Sequence, residues 1–155
     1  MPIDSKHPRY AYREKQWAKC RDAFEGEDAI KQAGETYLPR LKGQDDDDYR
    51  SYKRRALFYS ITSKSVSALV GMATSKAPKL EYPDSMKEYF NGSRIVQFSE
   101  IYSMTLSEVL LQSRCGILVD IQSDGQPVPA VYQAEDIINW RINSAGDVTL
   151  VVLRE

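Results

Sequence analysis

A single histidine, His7, serves the whole 155-residue chain, and it sits in the polar N-terminal segment. Histidine-based triads therefore require that segment to fold back, and a site built from several histidines is excluded within one chain. Cysteine is almost as scarce. Cys20 and Cys115 stand far apart in sequence, with no C-x-x-C or zinc spacing, so both are expected as buried, reduced thiols. No run approaches the ~20 apolar residues of a membrane span. The N-terminal "MPIDSKHPRYAYREK" lacks the apolar core of a signal peptide, so a reducing cytosol is the expected place of synthesis and no membrane partner is expected. No G-x-S-x-G, P-loop or G-x-G-x-x-G motif occurs. These absences argue against an enzyme and leave no cofactor to expect.

Charge is nearly balanced overall, at a formal net of −1, but not along the chain. Residues 1–80 hold 16 basic and 11 acidic residues, whereas 81–155 hold 5 and 11. A chain with a basic half and an acidic half suits head-to-tail self-association, although solvated faces can also differ in composition.

Residues 1–8 read as a flexible arm, followed by one α+β domain over 9–155. Tyr10, Arg13, Trp17, Cys20 and Phe24 recur at three- and four-residue steps and predict one helical face. A short helix from Glu27 to Ala33 would stop at Gly34. The loop "ETYLPRLKGQ" has Tyr37, Leu38 and Leu41 available to pin it to a core.

The stretch "QDDDDYRSYKRR", Gln44 to Arg55, allows three readings. A calcium loop fails, because its sixth and twelfth positions from Asp45 would be Arg50 and Ala56 rather than glycine and glutamate. A nucleic-acid or subunit contact through Arg50, Lys53, Arg54 and Arg55 is opposed by the adjacent acids. A helix start fits best: acids favour the positive end of the helix dipole, and Asp47 or Asp48 can cap free N–H groups. From Asp48 the apolar steps Tyr49, Tyr52, Ala56, Tyr59, Ser63, Val66 and Val70 predict one continuous helix to about Gly71. A second stripe of Phe58, Ile61, Leu69 and Met72 predicts burial on much of its circumference.

"SMKEYFNG" predicts a short helix with Ser85 and Glu88 at capping-box spacing, closed by Asn91-Gly92. A longer helix runs from about Ile95 to Arg114, with Phe98, Tyr102, Leu106, Val109 and Ser113 on one face. "GILVDI", a turn "QSDGQP" with its Asp124-Gly125 pair, and "VPAVYQ" then predict a hairpin. "AEDIINWRI" places Ile137, Ile138 and Trp140 near a core. The turn "NSAGD" leads into a strong strand, "VTLVVLRE", that runs to Glu155, so the reading frame is expected to continue. The expected product is a small, mostly antiparallel sheet packed by the helix faces around Tyr59–Met72 and Ile101–Leu111.

Acid pairs such as Glu135-Asp136, or Glu25 with Glu27 and Asp28, are common on solvated faces. Asp120 and Asp136 could meet as a metal-dependent nuclease pair, but nothing in the spacing specifies it. Tyr49, Tyr52 and Tyr59 beside Lys53, Arg54 and Arg55 could stack on single-stranded nucleic acid. Their place on the helix stripe favours core packing.

The order of elements, with "AFEGEDAIKQAGETYLPRL", "DYRSYKRRALFYSITSKSVSALVGM" and "AEDIINWR", resembles the N-terminal part of tailed-bacteriophage portal proteins, over about Trp17 to Glu155. The resemblance implies a structural virion protein, assembled in the host cytoplasm, in a homo-oligomeric ring of typically twelve subunits at one capsid vertex. Such a ring passes double-stranded DNA and contacts the terminase motor, the capsid and tail or adaptor proteins. Portals carry no catalytic activity of their own. These elements would form the peripheral wing; the family's central stem and motor-docking clip lie later in sequence. The alternative is a small DNA- or partner-binding module using the basic, aromatic helix at 49–59.

Overall fold

The computed structural model describes residues 4–155 except Asn91, Gln122, Asp124 and Gln126. The turn residue Asp124 and the helix-closing Asn91 lie outside the described residues. The architecture is α+β, with helices first and antiparallel strands last. In order come α1 (Pro8–Glu25), α2 (Glu27–Gln32), α3 (Asp46–Arg55), α4 (Ile61–Ala73), α5 (Gly92–Gln112), β1 (Cys115–Ile121), β2 (Pro127–Gln133), β3 (Ile137–Ile142) and β4 (Val148–Leu153).

Local chemistry accounts for the helix ends. Pro8 opens α1, where its missing N–H costs nothing, and the His7 Nδ1 accepts the Arg9 N–H at 3.1 Å. Gly26 separates α1 from α2 with φ 96° and ψ −150°, a region that side chains avoid. A Cβ there would also lie 3.2 Å from Ser60 Oγ, so the bend carries the chain close against the segment before α4.

The acid run does begin a helix, but the cap is Asp45. Its carboxylate accepts the Asp48 N–H at 2.8 Å, while Asp46, Asp47 and Asp48 fill the first turn. Lys53, Arg54 and Arg55 fill the last, so both ends of α3 carry the charge that the dipole favours.

The continuous helix expected from Asp48 to Gly71 is instead two. Ala56 turns extended at φ −60° and ψ 132°, and the helix restarts at Ile61. No glycine or proline causes the break. The basic last turn marks a helix stop, and α2 takes over the broken ladder. Lys31 Nζ donates to the Arg54 carbonyl at 3.1 Å, and the Glu27 carboxylate accepts the Phe58 N–H at 3.5 Å. The expected burial of α4 also fails: only Val66 is buried there, while Leu69 and Met72 are exposed.

The expected helix "SMKEYFNG" is a single 3₁₀ turn at Asp84–Met86 with no side-chain cap, so the Ser85–Glu88 box does not form. So short a helix cannot repay its nucleation. Aromatic contacts hold the segment instead: Phe90 stacks on Tyr82 at 4.5 Å and meets the Phe98 ring edge-on at 5.8 Å.

The strands pair as two separate two-stranded sheets rather than one, and "IINWRI" is itself a strand. β1 and β2 pair from Cys115↔Gln133 to Ile121↔Pro127. β3 and β4 pair from Ile137↔Leu153 to Ile142↔Val148, with register shifts after Ile137 and Arg141. At the second turn Asn143 Oδ1 accepts the N–H groups of Ala145 and Asp147. The hairpins meet where Gly116 faces Ile137; a Cβ on Gly116 would lie 3.0 Å from Ile137 Cδ1.

The main buried cluster uses the expected face of α1 and the expected Ile138 and Trp140, whereas the Tyr59–Met72 face contributes little beyond Val66. Tyr10, Trp17, Ala134 and Ile138 form the cluster, with Trp140 and Val152 packed beside them. It joins α1 to the β2–β3 corner and β3. The N-terminal segment is part of it: the His7 ring stacks on Trp140 at 4.0 Å, and the His7 N–H donates to the Ile138 carbonyl at 2.9 Å. Asn139 Nδ2 also reaches the Ser5 carbonyl at 2.7 Å.

Gly26→Ala is expected to destabilise the chain by about 1–3 kcal/mol, because it forces a side chain into a glycine-only conformation. Urea unfolding would show this as a lower midpoint at unchanged slope; an unchanged midpoint would contradict it.

Candidate functional site

The most organised group of polar side chains lies beside the core, where α1, α5 and the β2–β3 corner converge. Arg21 follows Trp17 by one helical turn, so it leaves α1 on the core side. Its guanidinium binds Glu108 with both terminal nitrogens, at 2.9 and 2.7 Å, and Glu135 at 3.1 and 3.2 Å. The three side chains are 14–19% exposed. The Glu108 hydrogen bond chiefly raises the Arg21 pKa, desolvation opposes it, and Glu135 adds to the rise. Gln112, one turn after Glu108 on α5, is buried and donates to the Trp17 carbonyl at 3.0 Å and to Glu135 at 3.1 Å.

Arg114 closes the group from the other side. Its guanidinium carbon sits 4.7 Å from the Trp17 ring centre and 4.6 Å from that of Trp140. One terminal nitrogen donates to the Ala134 and Ile137 carbonyls, at 2.8 and 2.7 Å. Burial lowers its pKa from the ordinary value, but guanidinium keeps its proton across the working range. Two cations thus face two carboxylates in a half-buried setting. Arg21 is paired with both carboxylates, whereas Arg114 is held by two backbone carbonyls and two ring faces rather than by an ion pair. This arrangement locks three chain segments at fixed spacing. A cleft of about 370 Å³ opens beside it between α1 and the end of α5, lined by Arg13, Trp17, Cys20 and Arg114 among others.

The bases singled out in the sequence are placed differently from one another. Arg50 pairs with Asp47 one turn back on α3. Lys53 lies over the Tyr49 ring at 5.3 Å, and Arg55 Nε reaches the Ser51 carbonyl at 3.3 Å. Arg54 and Arg55 are exposed at the C-terminal end of α3. Tyr49 is buried and its hydroxyl donates to the Leu38 carbonyl, so it holds the loop before α3. Arg40 also lies over that ring, at 4.6 Å, and pairs with Asp46 at 2.6 Å. That hydrogen bond leads the lowering of the Asp46 pKa. Tyr37 pins the same loop to α1 through Asp22 at 2.6 Å, and burial, then Asp22, pushes its phenol up to about 12. Leu41, expected to help, is exposed.

The acids separate in the same way. Glu135 is committed to Arg21 and Gln112, whereas its neighbour Asp136 pairs with Arg154 at 3.4 Å. Asp120 accepts the Ile121 N–H. Among the described residues no group of three His, Cys, Asp or Glu side chains is placed to hold a metal ion. The expectation of two buried thiols is corrected at Cys20, which is exposed at the mouth of the cleft. It is three residues from Trp17, but the buried face turns toward Arg21 and leaves Cys20 outside. Cys115 is half-buried, and desolvation raises its pKa.

Sequence reasoning missed Arg21, Glu108, Gln112 and Arg114 entirely. The available signal was the i, i+4 pair Glu108 and Gln112 flanking Leu111, polar residues on an otherwise apolar face of α5. No family model matches the chain, and no curated protein or solved structure is similar to it.

Glu135→Gln is expected to cost about 2–4 kcal/mol, because it leaves Arg21 half-buried beside one carboxylate instead of two. A thermal or urea melt checks this; a loss under about 0.5 kcal/mol, the range of ordinary surface substitutions, would show that the cluster does not hold the fold.

Proposed function

We propose that this chain is a structural subunit of a ring, the wing part of a portal-like protein through which double-stranded DNA passes at a capsid vertex. The observation that carries the proposal is surface area. The chain exposes 11405 Å², whereas a compact monomer of its mass should expose about 8,000 Å². The excess of roughly 3,400 Å² is on the scale of obligate assemblies. Much of it is apolar: Leu57, Tyr59, Ile61, Met72, Val119 and Ile121 are each more than 60% exposed. Large apolar side chains exposed in this number fit a surface that another protein covers.

The polar cluster supports the same reading. Arg21, Glu108 and Glu135 are spent on one another and Arg114 on backbone carbonyls, which suits a rigid wall better than a reactive site. The near-neutral balance suits a ring that lets DNA slide, since many phosphate contacts would hold it tightly. The partners proposed are further copies, then the terminase motor, the capsid and tail or adaptor proteins. The second reading, a DNA-binding module at 49–59, has a narrower footing, because Arg50, Lys53 and Arg55 each make a contact within α3.

Native mass spectrometry of the gene product, read from its own start to its own stop codon, tests the proposal. A closed ring of many copies is expected. A monomer across the micromolar range would overturn it, and salt-dependent DNA binding by that monomer would favour the second reading.

A further inference from the structure

We infer that the cleft between α1 and the end of α5 binds inorganic phosphate. This site goes beyond the ring reading and does not depend on it.

At about 370 Å³ the cleft has the size of a small-ligand site. Two guanidinium groups line it, from Arg13 on α1 and Arg114 just after α5, and no acid does. Among the described residues neither arginine makes an ion pair. Arg13 donates to the Gln16 amide oxygen at 2.9 Å, and Arg114 spends one terminal nitrogen on the Ala134 and Ile137 carbonyls. Glu108 and Glu135 are held by Arg21 and lie outside the lining. That trio has one carboxylate in excess, so the two lining cations leave the region net positive.

Two buried polar atoms of the lining residues have no hydrogen-bond partner, the donor Arg114 Nε and the acceptor Gln112 Oε1. Gln112 is only 4% exposed. Its Nε2 is turned to the Trp17 carbonyl and the Glu135 carboxylate, both acceptors, which fixes the amide's orientation and leaves Oε1 for the cleft. Buried orphans are costly, and a donor and an acceptor in one lining ask for a ligand with both functions. Phosphate has both. Its oxygens accept from guanidinium, and at neutral pH it keeps a proton to donate to Gln112 Oε1. The Ser113 hydroxyl, in the same lining, adds a further donor. Sulfate has the same shape but no proton to give, and a nucleic-acid phosphodiester has none either. Both would set an oxygen lone pair against Gln112 Oε1. Bound in the cleft, phosphate would join α1 to the α5–β1 link and add stability that rises with its concentration.

Isothermal titration of the full gene product, at fixed ionic strength and in a buffer without other oxyanions, tests the site. One phosphate per chain is expected, with sulfate weaker by about tenfold or more, the effect of an unpaired buried acceptor. Arg13→Gln, at an exposed position, should weaken phosphate by about fivefold or more while its melting curve without phosphate matches the wild type. No binding at millimolar phosphate, or undiminished affinity in folded Arg13→Gln, would overturn the assignment. Equal affinity for sulfate would overturn it too, because it would show only a general attraction of the basic lining for anions. The sulfate comparison needs no substitution, so it decides the question even where the variant fails to fold.

Discussion

Two guanidinium groups and two carboxylates bind α1, α5 and the β2–β3 corner to one another, and the remaining geometry follows from that tie. Arg21 reaches both Glu108 and Glu135, Gln112 adds a bond to Glu135, and Arg114 lies between Trp17 and Trp140. The apolar cluster beside it is four buried side chains with two more packed against them, and among the described residues Tyr49, Val66 and Leu111 are buried elsewhere. A core of that size holds little of a 155-residue chain in place by hydrophobic burial alone. Directional, charge-assisted hydrogen bonds therefore fix the relative placement of helices and hairpins; the pairing of Arg21 with Glu108 and Glu135 meets the desolvation of those three ions, and carbonyls and ring faces hold Arg114.

The same constraint explains the surface. With α1, α5 and β3 tied together, α4 packs on α1 and α5 through Val66 but leaves Leu69 and Met72 outside, as the hairpins leave Val119 and Ile121. Their apolar residues stay outside, and the exposed area exceeds that of a compact monomer by thousands of Å². The sequence already carries this split, with acid-free residues 49–80 and acid-rich residues 115–155.

Much of the fold was legible because it depends on local signals. The α3 start follows from acids at the dipole end, the α1–α2 break from Gly26, and the second hairpin from Asn143 and Gly146. What was hidden depends on residues distant in sequence. The break at Ala56 has no breaker residue; it exists because Glu27 and Lys31 of α2 offer alternative partners. The apolar stripe from Tyr59 to Met72 predicts burial equally well for a chain alone and for a chain within an assembly, so periodicity could not tell which would cover it. The polar cluster was invisible for a similar reason. Arg21 and Glu135 are separated by more than a hundred positions, and nothing local marks either as half-buried. Of the bases singled out, Arg50, Lys53 and Arg55 make contacts within α3, and Arg50, Arg54 and Arg55 are exposed.

Amide hydrogen exchange of the full gene product, followed at two protein concentrations, tests most directly the claim that a small tied core carries a surface meant for other copies. Tyr10–Arg21 and Ala134–Trp140 should be protected at both concentrations. Residues 57–73 and the strand β4 should exchange quickly in dilute solution and become protected when the concentration is raised. Equal protection of 57–73 and the core at every concentration would contradict the account.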